Sequence, residues 1–156
     1  MLRIYYYDAP PASNNVTNPL DHSVMELGKT TIYTQANQLL SILELKPNFA
    51  LRLGEAVTQG WKLGDSALLS LVTTPRNLTG RDLVPNIKQK GVDLRIGLDI
   101  ARLALRHLVD VIVVITGDSD LVPAFKFARR EGIRVYLHNM RHGVHRDLKA
   151  HVDLVL

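Results

Sequence analysis

Val111-Ile112-Val113-Val114-Ile115 runs directly into Thr116-Gly117-Asp118-Ser119-Asp120. A β-branched run therefore ends in a loop that carries two carboxylates one residue apart. A short, wholly apolar run of this kind suits an inner strand covered on both faces. In open α/β sheets, ligands bind just beyond the carboxyl ends of such strands. Two acids this close repel each other unless a cation lies between them, and oxygen donors suit a hard divalent ion. Asp93 and Asp99 lie shortly upstream, so four carboxylates are available to converge at one sheet edge. That pattern points to metal-dependent chemistry on phosphate esters.

The rest of the chain bounds this reading. Its 156 residues are one domain's length, and 46% hydrophobic with 22% charged residues is ordinary globular composition. No run approaches the roughly 20 apolar residues that cross a bilayer, and no basic stretch precedes an apolar core at the N-terminus. With no cysteine, disulfides and thiolate ligands are excluded, so a metal must sit on oxygen or imidazole. These features fit a cytosolic address with no membrane partner. The net charge of +4 is unevenly placed. Lys88, Lys90, Arg95, Arg102, Arg106, Arg129, Arg130, Arg134, Arg141 and Arg146 surround the acidic focus, an arrangement suited to a polyanion held by its backbone. Charge alone fits an ordinary solvated surface equally well.

Periodicity predicts a strand over Leu2–Tyr7, stopped by Pro10-Pro11, and a loop over 12–23. Apolar residues at helical spacing predict a helix from Lys29 to Leu45, ended by Pro47. Phe49 to Val57 alternates as a strand. Residues 58–85, punctuated by Gly60, Gly64, Pro75, Gly80 and Pro85, read as an irregular insertion with a short helix over Ser66–Leu71. Then follow a helix over Leu94–Leu108, the strand Val111–Ile115, a helix over Leu121–Arg130 stopped by Gly132, a strand over Ile133–Leu137, and a short helix over Val144–His151. Alternating strands and helices imply right-handed crossovers and a parallel sheet.

Each acid also has an ordinary explanation. Asp120 can be an N-cap, since Leu121, Val122 and Pro123 fill the next turn. That does not account for Asp118 as well. Asp99 can pair with Arg95 or Arg102 along one helix. On an ideal helix Asp93 would point about 120° away from Asp99, so both reach one site only if Asp93 stands at the helix entrance. His138, His142 and His145 could suggest a zinc site, but they span a strand end and a basic loop, and exposed histidines explain them better. No nucleophile elbow, phosphate-binding Gly-Lys-Ser/Thr loop or dinucleotide fingerprint is present.

Two spaced motifs carry a resemblance: Lys90-Gly91-Val92-Asp93 with Asp99 six residues on, then the apolar strand and Thr116-Gly117-Asp118-Ser119-Asp120-Leu121-Val122-Pro123. In this order they closely resemble the NYN domain, a PIN-like nuclease family, in its bacterial branch. The resemblance is clearest from about Lys88 to His138 and looser over Leu2–Pro11 and Leu51–Gly54. It implies one domain over 1–156 with a Rossmann-like three-layer α/β/α fold and a mainly parallel central sheet. It further implies Mg²⁺ or Mn²⁺ bound by Asp93, Asp99, Asp118 and Asp120, and RNA as substrate. Lys90 and Thr116 match flanking polar positions and, with Ser119 and Arg95, are expected to hold the substrate.

One departure stands out. The family usually opens with a strand ending in an Asp that completes the metal site, whereas here the first strand ends Tyr7-Asp8-Ala9-Pro10-Pro11, like the family's second strand. Either an opening strand is missing, or Asp8 takes its place and Leu2–Tyr7 lies beside Val111–Ile115. A missing strand would leave an apolar edge for a second copy of the chain to cover. The expected activity is hydrolysis of RNA phosphodiester bonds. The alternatives are an RNA-binding or regulatory module that does not turn over, and a phosphatase of the haloacid dehalogenase type. The phosphatase ranks last, because no Asp-x-Asp-x-Thr follows a strand.

Overall fold

The computed structural model describes residues 3–156. It divides into two compact units, Arg3–Val92 and Asp93–Leu156.

In the N-terminal unit, β1 (Ile4–Asp8) pairs in parallel with β4 (Phe49–Leu53), Ile4 opposite Phe49 and Asp8 opposite Leu53. Leu2, the first residue of the expected strand, lies outside the described residues. Aromatic residues favour this extended stretch: the Tyr5 and Tyr7 rings lie 6.3 Å apart, and the Arg52 guanidinium sits 5.1 Å from the Tyr5 ring. The expected loop over 12–23 contains a short strand, β2 (Asn15–Thr17), paired antiparallel with β3 (Val24–Glu26). Helix α1 (Thr31–Glu44) begins where the Thr30 hydroxyl accepts the Tyr33 N–H at 3.2 Å, and it buries Leu40 and Leu43.

The single strand expected over Phe49–Val57 is broken at Gly54. β4 stays with β1, while β5 (Glu55–Leu63) pairs antiparallel with β6 (Leu83–Lys90). The Gly54 N–H donates to the Asp8 carbonyl at 2.7 Å, and a Cβ at this position would lie 2.5 Å from the Lys90 carbonyl oxygen. Only glycine lets the three segments approach this closely. The segment 58–85 is therefore not irregular. Most of it is the β5–β6 pair with helix α2 (Asp65–Thr73) between the strands. The glycines and prolines that suggested an irregular insertion occupy specific places instead. Gly60 (φ +74°) lies in the register shift between Thr58 and Trp61, Gly64 is the residue before α2, and Pro85 stands opposite Trp61.

The C-terminal unit holds α3 (Val92–Leu105, whose first residue closes the preceding unit), β7 (Val111–Ile115), α4 (Val122–Arg130), β8 (Arg134–His138), α5 (Arg146–Ala150) and β9 (Leu154–Val155). All three strands are parallel, in the order β7-β8-β9, with α4 and α5 as the connections. Ile100 and Ala104 of α3, Phe125 of α4, Val135 and Leu137 of β8, and Leu148 of α5 share one buried cluster. Gly132, at φ +84°, ends α4 as expected from its sequence.

β7 corrects the expectation of an inner strand. Ile112 and Val114 pack on the core, but Val113 is 54% and Ile115 65% exposed, and among the described residues β7 pairs only with β8. The inner strand is β8, although its sequence alternates. β-branched composition records how well residues suit a pleated backbone, not how many faces are covered. Among the described residues the strands form four small sheets rather than one continuous sheet. The class is mixed α/β with two parallel pieces.

Candidate functional site

The loop after β7 is built from its own polar groups. The Thr116 hydroxyl accepts the Asp118 N–H at 3.0 Å, and Oδ1 of Asp118 accepts the Asp120 N–H at 2.9 Å. A 3-10 turn over Ser119–Leu121 follows, held down by Leu121, which is buried in the core, and α4 continues with a proline in its first turn. The capping residue is thus Asp118. Asp120, for which a cap was the ordinary explanation, lies inside the turn. Gly117, Asp118, Ser119 and Asp120 are all exposed, and the Asp120 carboxylate has neither hydrogen bond nor ion pair among the described residues. Of the Asp118 carboxylate, Oδ1 serves the cap, and Oδ2 has no hydrogen bond among the described residues.

Asp93 is the second residue of α3 and exposed, so it does stand at the helix entrance; Arg95 and Asp99 lie further along and are partly buried. Among the described residues, no three His, Asp or Glu side chains gather into a group that could hold a metal ion. The fold therefore brings Asp118 and Asp120 together on one loop, without adding Asp93 or Asp99 to make a set of three.

Lys90 ends β6 in the N-terminal unit and is exposed. Asp8 lies in the same unit, and its carboxylate has local partners. Oδ1 accepts the Ala9 N–H at 2.7 Å and the Gln89 amide at 3.2 Å, and Oδ2 accepts the Tyr6 hydroxyl at 3.2 Å. Burial, then the charge of Asp8 and the hydrogen bond to it, raise the Tyr6 phenol above its ordinary value. This Tyr6–Asp8–Gln89 constellation had no counterpart in the sequence reading, since 81 positions separate Asp8 from Gln89. Among the described residues, β1 has β4 as its paired strand, and β7 has β8. In the basic loop, the His138 Nδ1 accepts the Met140 N–H at 3.1 Å, and the His145 Nδ1 accepts from Asp147 at the start of α5.

The sequence matches the NYN domain over residues 66–155, more than half of the chain's 156 residues. The chain belongs to the NYN domain family, a group within the PIN-like nucleases, which act on RNA and generally use divalent metals. No curated protein and no solved structure matches it. The match begins in α2 and includes the whole loop that carries Asp118 and Asp120.

The loop's donor set fits part of what such a metal requires. Its donors are hard carboxylate oxygens, and Asp120 has no counter-charge among the described residues. It is not an all-protein cage. Mg²⁺ commonly keeps several waters and takes only one or two carboxylates together with substrate phosphates, and that mode suits an exposed pair.

Proposed function

We propose that this chain is a divalent-metal-dependent ribonuclease that hydrolyses RNA phosphodiester bonds at the loop following β7, within the three-layer PIN-like arrangement of its family and at a cytosolic address. The observation that carries this reading is the exposed Asp118–Asp120 pair, fixed by its own backbone bonds and lacking a protein cation. Bound there, Mg²⁺ or Mn²⁺ would supply charge neutralisation at the scissile phosphate and a more acidic water.

The residues divide the remaining work. Asp118 and Asp120 hold the cation from the loop, and Asp93 and Asp99 of α3 support it through water. Lys90 and Arg95 offset backbone charge on the RNA. The hydroxyls of Thr116 and Ser119 offer hydrogen bonds to phosphate oxygens beside the pair. Contacts of this kind position a strand without reading its bases, so cleavage should show little base selectivity.

A second reading is an RNA-binding or regulatory member of the family that does not turn over. It is favoured by one finding, that among the described residues no third metal-binding side chain joins the pair. The two readings separate when unstructured RNA is incubated with the full chain in Mn²⁺, in Mg²⁺ and in EDTA. Products that appear only with a metal support the nuclease. Salt-sensitive binding with no products supports the second reading.

A further inference from the structure

At the other end of the C-terminal unit's sheet, α4 and β8 border a cleft of about 420 Å³ lined by Lys126, Arg129, Arg130, Gly132, Arg134 and Asp153, among others. The strand register places it. Val111 stands opposite Arg134 and Ile115 opposite His138, so Arg134 is level with the start of β7 and the Asp118 loop follows its end. Helix α4 joins the two places, with the acidic turn at its first residue and Arg129 and Arg130 in its last turn.

Four cations and one carboxylate line the cleft, a balance of +4 − 1 = +3. The carboxylate is fully engaged: Asp153 Oδ1 accepts from Arg129 Nε at 3.0 Å, and Oδ2 accepts the Val135 N–H at 2.8 Å. Lys126, Arg130 and Arg134 are exposed and have no acidic partner among the described residues. Cations near a helix C-terminus complement the helix dipole, and that accounts for Arg129 and Arg130. It does not account for Lys126 one turn earlier, or for Arg134 on the strand. Gly132 adds no side chain, and a Cβ there would meet nothing within 4 Å. No aromatic residue lines the cleft, so it offers bases nothing to stack on.

We propose that this cleft is a second binding site for the phosphodiester backbone of an RNA strand whose reactive portion lies at the acidic loop. It rests on the reading of RNA as the substrate and adds where a strand is held away from the cut. At about 1.5 Å per residue, the nine residues of α4 separate the two places by roughly 13 Å. That distance corresponds to about four nucleotides at ~3.4 Å per phosphate of stacked strand. Binding at the cleft is indifferent to sequence, sensitive to salt, and unavailable to shorter oligonucleotides engaged at the loop.

The test compares the full-length protein with its Lys126→Gln/Arg130→Gln/Arg134→Gln variant, with circular dichroism confirming the fold. Binding of an unstructured RNA of about 20 nucleotides is measured by fluorescence anisotropy in EDTA, between about 50 and 200 mM salt. The variant should bind about tenfold or more weakly at the lower salt, and its log–log salt slope should shrink by about 2, near 0.7 per cation removed. Unchanged affinity and slope overturn the site. Competition by submillimolar inorganic phosphate that reaches only the wild-type protein also overturns it, because it marks a small-anion pocket. A wild-type protein that binds with the expected slope but makes no products in Mn²⁺ refutes the nuclease and leaves the cleft standing. A variant that cleaves but binds like wild type refutes the cleft alone. A wild-type protein that does not bind RNA refutes both.

Discussion

The main-chain N–H of Asp120 donates to Oδ1 of Asp118 across 2.9 Å, so the two acids of the candidate site are tied together by backbone rather than by a neighbouring cation. The loop keeps its shape through the Thr116 hydroxyl below and the buried Leu121 above. One carboxylate does local structural work, while the other is exposed and has no partner among the described residues. Two roles therefore meet in Asp118, capping and charge, and substitutions can separate them.

Asparagine caps a helical turn about as well as aspartate, and alanine does not. Asp118→Ala should cost about 1 kcal/mol of stability, and Asp118→Asn close to nothing. Thermal or urea denaturation of the two variants measures the difference. Equal losses would mean that the cap seen between Asp118 and Asp120 contributes nothing.

A ligand that binds only the folded state raises its stability by about 2.7 kcal/mol at a hundred times its dissociation constant. Titrating Mn²⁺ or Mg²⁺ into the wild-type protein should therefore raise the melting temperature progressively, and adding EDTA should reverse the rise. Asp120→Asn should reduce the rise strongly, because it removes the carboxylate that lacks a partner in the protein. An undiminished rise in that variant would place the cation elsewhere.

Gly54 and Gly117 should respond in opposite ways to the same methyl group. A Cβ at position 54 would lie 2.5 Å from the Lys90 carbonyl oxygen and 2.9 Å from a Val92 methyl, whereas at position 117 it would meet nothing within 4 Å. Gly54→Ala should destabilise the protein by about 1–3 kcal/mol, the usual cost of forcing atoms into a filled space. Gly117→Ala should be nearly neutral in equilibrium denaturation.

Asp82 gives the N-terminal unit an acid-sensitive point. It is 5% exposed, accepts from both terminal nitrogens of Arg76 at 2.7 and 2.6 Å, and accepts the Thr79 N–H at 2.8 Å. The bonds from Arg76, then the one from the Thr79 backbone, hold its carboxyl well below the ordinary 3.8. A carboxyl depressed in the folded state contributes stability above its unfolded value, and this is lost as pH falls through the folded one. The wild-type melting temperature should exceed that of Asp82→Asn near neutrality. The gap should narrow as pH drops below 3.8. A gap constant with pH would remove the ionised form from the explanation.

The C-terminal unit was the more legible part of the chain, because its elements follow one another locally. Gly132 stopping α4, the β7–α4–β8 crossover and the exposed loop after Ile115 can all be read from neighbouring residues. What could not be read depends on distant partners. Gly54 breaks a strand pattern because Lys90 approaches it, Asp8 finds Gln89 across most of the unit, and Val113 is exposed because it lies on the face of β7 opposite Ile112 and Val114, which pack on the core. The misreading of 58–85 had a different origin. Glycine and proline mark a bulge and helix ends as readily as they mark a loop, and only strand pairing distinguishes these. At the site, the carboxylate pair was visible in the sequence, but which of the two caps the turn depended on a hydrogen bond that spacing does not reveal.

The most direct test is the rate of Mn²⁺-dependent cleavage of unstructured RNA by Asp118→Asn beside the wild-type protein, with both shown to be folded and equally stable. The account predicts loss of at least about a hundredfold in rate, roughly 2.7 kcal/mol of transition-state stabilisation. Wild-type cleavage in a folded Asp118→Asn protein would contradict it.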